Sequence, residues 1–205
     1  MANLWKATMK RLIVGITGST GVIFGVRLLE VLAEAKSEIE THLVVSKWAQ
    51  QTIEHETATS MATLKDLASV TYSPGDMGAK ISSGSFHTDG MAVVPCSMRS
   101  LAAIAHGMGD HLVHRAADVV LKERRKLVLV ARETPLNEIH LDNMLKLTRM
   151  GAVILPPMPA FYNHPKSLDD MINHIVMRIL DQFDMPADLV ERWDGKMQNR
   201  VSAAQ

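Results

Sequence analysis

Apolar residues in this chain follow two alternating rhythms. Short β-branched runs, RLIVGI (11–16), ETHLVVS (40–46), MAVVPC (91–96), KLVLVA (126–131) and GAVILP (151–156), are apolar with little regard to a two-residue alternation. Such runs predict strands covered on both faces of a sheet. Between them, in VIFGVRLLEVLAEA, AQQTIEHETA, RAADVVLKERR, NEIHLDNMLKLTRM and SLDDMINHIVMRILDQF, apolar residues return every three or four positions. That spacing predicts amphipathic helices. Strand and helix in alternation predict an α/β fold, a parallel sheet flanked by helices on two sides. The stretch VTYSPGDMGAKISSGSFHTDG (70–90) is rich in Gly, Ser and Asp and predicts a long loop with at most short ordered pieces; a loop of that length in a compact domain is commonly functional. No internal repeat, low-complexity block or interdomain linker breaks the pattern, and 205 residues suit a single domain.

The polar residues carry the functional signal through their positions. In open α/β sheets ligands bind beyond the carboxyl ends of the strands, and here those positions read TGSTG, SKWA, CSMRS, RETP and PPMPAFYNHP. The hydroxyls of Ser19, Thr20, Ser46, Ser97 and Ser100, the pair Arg132 and Glu133, and Tyr162 are thereby expected on one rim. That composition suits a phosphorylated ligand with an apolar body, such as a nucleotide or flavin. Ser46 and Ser97 also precede helical segments and suit helix N-caps, a role compatible with facing a ligand.

The segment GITGSTGVIFG (15–25) joins the first strand to the first helix. Its glycines 15, 18 and 21 match neither G-x-G-x-x-G nor G-x-x-x-x-G-K-[ST], so the dinucleotide and Walker A readings are excluded. Two readings stay open: an oxyanion held by backbone N–H groups at a helix N-terminus, or a tight turn without a ligand. Arg132 and Glu133 end a buried strand, where charge needs a partner or a ligand. Lys122 follows Arg115 by two helical turns and shares its face, whereas Arg124 and Arg125 read as a solvated basic face. Arg178 interrupts the apolar pattern of its helix; it either pairs with a carboxylate such as Asp181 or points at a ligand.

Composition narrows the classes. Lys plus Arg and Asp plus Glu each total 22, and aromatic residues make up 4% of the chain, so neither a basic field nor a stacking platform for nucleic acid is expected. The single cysteine, Cys96, and nine scattered histidines fit a reducing, cytoplasmic setting without a structural metal. MANLWKATMKR lacks the apolar core of a signal peptide, and no apolar run approaches the roughly 20 residues of a membrane span. A soluble protein is expected.

Taken in order, RLIVGITGSTG, THLVVSKWA, ISSGSF, PCSMRSLAAIAHG, RAADVVLKERRKLVLVARETPL, IHLDNMLKLTRMGAVILPPMPAFYNHP and SLDDMINHIVMRILDQF resemble the flavin prenyltransferases of the UbiX type, in the branch associated with phenolic and phenylacrylic acid decarboxylases. The resemblance spans about residues 10–195. It implies a Rossmann-like (flavodoxin-like) flavoprotein domain over 10–185, with an N-terminal extension (1–9) and a C-terminal tail (186–205) that contributes to the site or the oligomer. It also implies a homododecamer that binds reduced FMN and joins a dimethylallyl group from dimethylallyl monophosphate to flavin N5 and C6, without a metal. The product, prenylated FMN, serves a separate UbiD-type decarboxylase of aromatic acids.

By position, the resemblance places FMN contacts on Gly18, Ser19, Thr20, Ser46, Ser97, Met98, Arg99, Ser100 and Arg132. It places the prenyl phosphate on Ser83, Gly84, Lys122, Arg132, Glu133, Tyr162 and Arg178, an acid for proton transfer at Glu56, and a tryptophan near the prenyl group at Trp193. Glu56, Lys122, Glu133, Tyr162 and Arg178 are the implied catalytic set, with Met158 and Phe161 joining Trp193 in an apolar pocket. Two departures stand out: GSTG replaces the common GASG, putting Thr20 where serine is frequent, and Arg99 in CSMRS is expected to contribute only its backbone. Two other readings remain: an FMN-dependent decarboxylase of the cysteine-decarboxylase group, whose ASANT-like segment is absent at PCSMRS, and a non-catalytic flavin-carrying subunit, which has no need of a second phosphate site.

Overall fold

The structure, a computed structural model, describes residues 9–195. Its elements run β1 (Lys10–Ile16), α1 (Val22–Glu34), β2 (Ile39–Val45), α2 (Lys47–Glu56), α3 (Met61–Leu67), β3 (Val70–Tyr72), a 3-10 turn (Lys80–Ser82), β4 (Gly90–Cys96), α4 (Met98–Ala105), α5 (Leu112–Lys122), β5 (Lys126–Ala131), α6 (Glu138–Arg149), β6 (Val153–Ile154) and α7 (Leu168–Asp181). The strands form one sheet in the order β3-β2-β1-β4-β5-β6, every pair parallel. This is the α/β architecture expected from the alternation of runs.

The apolar strands are explained by burial on both faces. Leu12, Val14 and Ile16 of β1 pack into one layer with Val26 and Leu29 of α1 and Ile175 and Ile179 of α7. Ile13 of β1 and Met91 and Val93 of β4 face the other layer, with Leu101 of α4 and Val113 and Ala117 of α5. Each fully buried Leu or Ile contributes about 2 kcal/mol relative to exposure, so the period-two alternation feeds both cores.

Helix ends are marked by side chains as well as by apolar pattern. The Ser167 hydroxyl accepts the Asp170 N–H while the Asp170 carboxylate accepts the Ser167 N–H, a reciprocal cap that starts α7. Asn137 and His140 make the corresponding pair at α6.

Three elements differ from expectation. GAVILP contracts to the two-residue edge strand β6, only partly buried. The loop over 70–90 contains β3 and the 3-10 turn, so its ordered pieces include a sheet edge. The helix α3, capped by Ser60, carries a single buried residue, Leu64, too little periodicity to announce itself. The N-terminal extension is outside the described residues except for Met9, as is the C-terminal tail beyond Gly195.

Candidate functional site at the carboxyl ends of the central strands

Chain connections leave β1 and β4 toward opposite edges of the sheet, which opens a crevice at their carboxyl ends. Thr17 closes its floor: its hydroxyl donates to the Pro95 carbonyl at 2.9 Å and accepts the Ser97 N–H at 2.8 Å. The β4 register shifts between Val93 and Cys96 as the strand enters Pro95, a bulge that turns the Pro95 carbonyl toward Thr17. Above this floor lies a cavity of about 560 Å³, lined by Thr17, Gly18, Ser46, Trp48, Ser97, Arg99, Ser100, Asp110, His111 and His114.

The glycine-rich turn has a specific use. A Cβ on Gly18 would stand 2.5 Å from the Trp48 Cβ, so the missing side chain lets the start of α2 close over the turn. Gly21 has φ of 93°, which suits glycine at the cap of α1. The oxyanion held by the α1 N-terminus belongs to the protein itself: Glu56 Oε2 accepts the N–H of Gly21 at 2.9 Å and of Val22 at 3.3 Å. The expected acid therefore sits beside the expected flavin loop. Among the described residues Ser19 Oγ is buried without a hydrogen-bond partner, whereas Thr20 is exposed.

Ser46 and Ser97 are both caps: Ser46 Oγ accepts the Ala49 N–H and Ser97 Oγ the Ser100 N–H, starting α2 and α4 at the cavity wall. Met98 and Arg99 open α4, Met98 partly buried and Arg99 exposed. Arg132 follows β5, its N–H donating to the Cys96 carbonyl at 3.1 Å, with Glu133 exposed beside it. These residues, and Ser100, gather at the carboxyl rim as expected.

The remaining residues do not join them within one chain. Ser83, Gly84 and Lys122 lie at the opposite, amino end of the sheet: Arg125 Nη2 donates to the Gly84 carbonyl at 2.7 Å, and Lys126 pairs with Gly90 where β4 and β5 begin. Lys122 is ion-paired with Glu123, which holds the Glu123 carboxyl below its usual range. The six-residue strand β5 separates this cluster from Arg132 by roughly 20 Å.

Tyr162, Arg178 and Trp193 form a third group around α7, so the expectation of Tyr162 on the common rim is corrected. The Tyr162 hydroxyl is 2.9 Å from His174 Nε2, and its ring meets Trp193 edge to face. Arg178 takes the carboxylate option: its Nη1 donates to Asp181 at 3.1 Å, and Arg192 grips the same carboxylate with two nitrogens. The Arg192 guanidinium holds the Asp181 carboxyl below the usual range. Arg178 is in the last turn of α7, close to Phe183, whose carbonyl accepts Lys10 Nζ at the amino end of β1. Met158, Phe161 and Trp193 are 69%, 65% and 51% exposed, so among the described residues of one chain they do not enclose a pocket.

Six cavity residues escaped the sequence reading: Thr17, Lys47, Trp48, Asp110, His111 and His114. His114 Nε2 is 3.1 Å from Ser100 Oγ, and Ser97 Oγ is 3.2 Å from Ser100 Oγ. His114 Nδ1 is 3.6 Å from Asp110 Oδ1. Burial holds the His114 imidazole below its ordinary value, against the pull of Asp110. The available signal was GDHLVHR, which puts Asp110 and His114 four apart at the head of a helix whose neighbouring positions are apolar.

Known proteins match this geometry along nearly the whole chain. The flavoprotein family model matches residues 3–180. A probable UbiX-like flavin prenyltransferase of Streptomyces sp. (strain D7) is 61% identical over 94% of this chain and 96% of its own length. A solved structure of AnUbiX (PadA1) in complex with FMN and dimethylallyl pyrophosphate is 52% identical, with a TM-score of 0.89 over 93% of this chain and 100% of that one. A dodecameric FMN-dependent UbiX-like decarboxylase from Escherichia coli O157:H7 is 58% identical, with a TM-score of 0.88 over 90% of this chain and 100% of that one. The α/β sheet with its hydroxyl-lined crevice thus sits in a chain that belongs to the flavoprotein family and, within it, to the UbiX-like flavin prenyltransferases.

Proposed function

We propose that this protein prenylates reduced FMN, joining a dimethylallyl group from dimethylallyl monophosphate to N5 and C6 of the flavin. The observation that carries this reading is the coexistence of a hydroxyl-lined crevice with two further groups of phosphate-binding type outside it, Lys122 beside Gly84 and Tyr162 with Arg178 around α7. A flavin carrier needs the first alone. The solved relative that binds FMN together with dimethylallyl pyrophosphate supports the pairing of ligands.

The crevice residues fit FMN. The cavity is of mononucleotide size, Ser19 Oγ is buried and lacks a partner among the described residues, and Ser46, Ser97 and Ser100 supply hydroxyls at two helix starts. Bound reduced FMN supplies an electron-rich ring with N5 and C6 as alkylation positions. Gly18, Ser19, Thr20, Ser46, Ser97, Met98, Arg99, Ser100 and Arg132 are the residues that would hold it.

The chain's own residues would act on the departing phosphate and on protons. An allylic monophosphate leaves readily only if its growing negative charge is met by fixed cations and donors. Lys122, Arg132, Arg178, the Tyr162 hydroxyl and the Ser83–Gly84 turn are of that type. Glu56 Oε2 accepts the Gly21 and Val22 N–H groups, which fixes the carboxylate where its Oε1 would move a proton at the flavin, with Glu133 as the second relay. Met158, Phe161 and Trp193 would exclude water from the prenyl group.

Since these groups occupy three separate regions of the surface, we infer that a complete site forms where copies of the chain meet. The dodecameric relative supports that arrangement and a homododecamer here. Closure against neighbouring copies would bury Met158, Phe161 and Trp193 and bring cations from two of them over the crevice of a third. The product would pass to a UbiD-type decarboxylase in the cytoplasm; no helix among the described residues is long and apolar enough to cross a membrane.

The test is anaerobic incubation of the purified protein with reduced FMN and dimethylallyl monophosphate, followed by mass analysis of the flavin. A flavin heavier by the prenyl group is expected. An unchanged mass in protein that demonstrably binds FMN would overturn the reading.

A further inference from the structure

We infer that His114 is a positioning residue that sets, through Ser100, whether the Ser97 hydroxyl meets the ligand cavity as a hydrogen-bond acceptor or as a donor. The inference rests on the FMN reading of the crevice and adds to it a group that the site assignment above does not contain.

His114, Ser100 and Ser97 form a hydrogen-bonded line at the cavity wall, with separations of 3.1 and 3.2 Å, and the Asp110 carboxylate stands beside its imidazole end, 3.6 Å from Nδ1 and beyond hydrogen-bond distance. Each hydroxyl has one proton to donate and two lone pairs, so the direction of the whole line is decided at its imidazole end. With His114 neutral, the Asp110 carboxylate draws the single ring proton to Nδ1 and leaves Nε2 as an acceptor. Ser100 then donates to Nε2 and Ser97 donates to Ser100, so Ser97 turns a lone pair toward the cavity. Its other lone pair is held by the Ser100 N–H at 3.3 Å.

A second proton on His114 reverses the line without moving a heavy atom. Nε2–H now donates to Ser100, Ser100 donates to Ser97, and the Ser97 proton rotates into the cavity.

The groups facing His114 are Asp110 from the turn before α5, His111 at the cap of α5 with its ring 5.2 Å away, and Arg99 from α4. Asp110 favours the second proton; Arg99 and burial oppose it, so the neutral line prevails near neutral pH and the reversed one on the acid side of the ordinary histidine range. FMN carries negative phosphate and mostly acceptor atoms on its polar ring edge. Reversal of the line adds both a donor and a positive charge on the side of the ligand.

The experiment is titration of the full-length protein with oxidised FMN, followed by flavin fluorescence, from about pH 8 to about pH 5.5. His114→Gln is the comparison, because its amide still bridges to Ser100 but does not titrate. The FMN phosphate has its own pKa near 6, and its contribution is common to both proteins. On acidification the wild-type affinity should gain about tenfold relative to His114→Gln, the value of one added hydrogen bond to a charged chain.

Ser97→Ala, which leaves His114 in place, should reduce the same gain, and it serves if His114→Gln fails to assemble. Parallel pH profiles for the wild type and either variant would overturn the role of His114 while leaving FMN binding intact. Failure of the wild type to bind FMN at any pH would overturn both this inference and the flavin reading.

Discussion

Gly25 offers a direct test of how tightly α1 must lie on the sheet. It sits on the buried face of α1, and a Cβ built there would be 2.4 Å from the Val94 carbonyl oxygen and 3.1 and 3.3 Å from Ile16 Cδ1 and Cγ1. Ordinary contact requires about an ångström more, and the first obstacle is backbone of the central strand β4, which cannot turn aside as a side chain can. Gly25→Ala should therefore fall in the upper part of the range of overpacking costs, about 2–3 kcal/mol. Alanine in place of glycine returns about 1 kcal/mol of helix propensity. The net loss is about 1–2 kcal/mol, which for a domain of this size lowers Tm by roughly 3–6 °C. The assay is thermal unfolding at fixed protomer concentration, since assembly makes Tm concentration-dependent. Gly75→Ala is the control, with nothing among the described residues within 4 Å of its added methyl. Because α1 also presents Gly21 and Val22 to Glu56, displacement of the helix should weaken FMN binding as well. A Gly25→Ala protein as stable as the wild type would refute the close approach.

Three further outcomes follow from the same geometry. Glu56→Gln keeps an acceptor for the Gly21 and Val22 N–H groups but loses the charge at the helix N-terminus; stability should fall by up to about 1 kcal/mol, FMN should stay bound, and mass analysis should find the fourth flavin ring incomplete. Four histidines, His42, His111, His114 and His174, are held by burial below their ordinary 6.5, so on acidification the unfolded chain takes up protons first. The stability these groups contribute is full above 6.5 and declines below it, and a Tm at about pH 5.5 equal to or above that at pH 7.5 would contradict the assignment. Finally, Lys122→Ala and Glu133→Gln each alone should abolish prenylation, whereas the two chains co-expressed in mixed oligomers should recover measurable product; no recovery would place the site within one copy.

Much of the fold was legible in the sequence because its signal is local. A run such as KLVLVA needs both faces covered, and SLDDMINHIVMRILDQF carries its apolar stripe at helical spacing, so strand, helix and their alternation can be read without coordinates. Element ends agree to within a few residues for the same reason: Ser46, Ser97 and Ser167 are caps by chemistry as well as by position. The carboxyl-rim set, from Gly18 through Ser97 to Arg132, was legible too, because a parallel sheet makes every strand end a neighbour of the others. α3 and β3 were not, since a seven-residue helix with one buried side chain and a three-residue edge strand have too few positions to establish a period.

What the tertiary structure alone decided concerns pairs distant in sequence. The choice between a bound anion and an empty turn at GITGSTG depended on a carboxylate 35 residues away, Glu56, being delivered by the end of α2 to the Gly21 N–H. The choice for Arg178 depended on Asp181 lying one turn on and on Arg192 returning to the same carboxylate. The separation of Lys122, Arg132 and Tyr162 into different regions of the surface is likewise invisible in a list of motifs, because linear order says which residues exist but not which end of a helix or strand they occupy in space. Sequence determines the chemistry available and its local setting; the crossing of helices over one sheet determines which of those groups meet in a single chain and which do not.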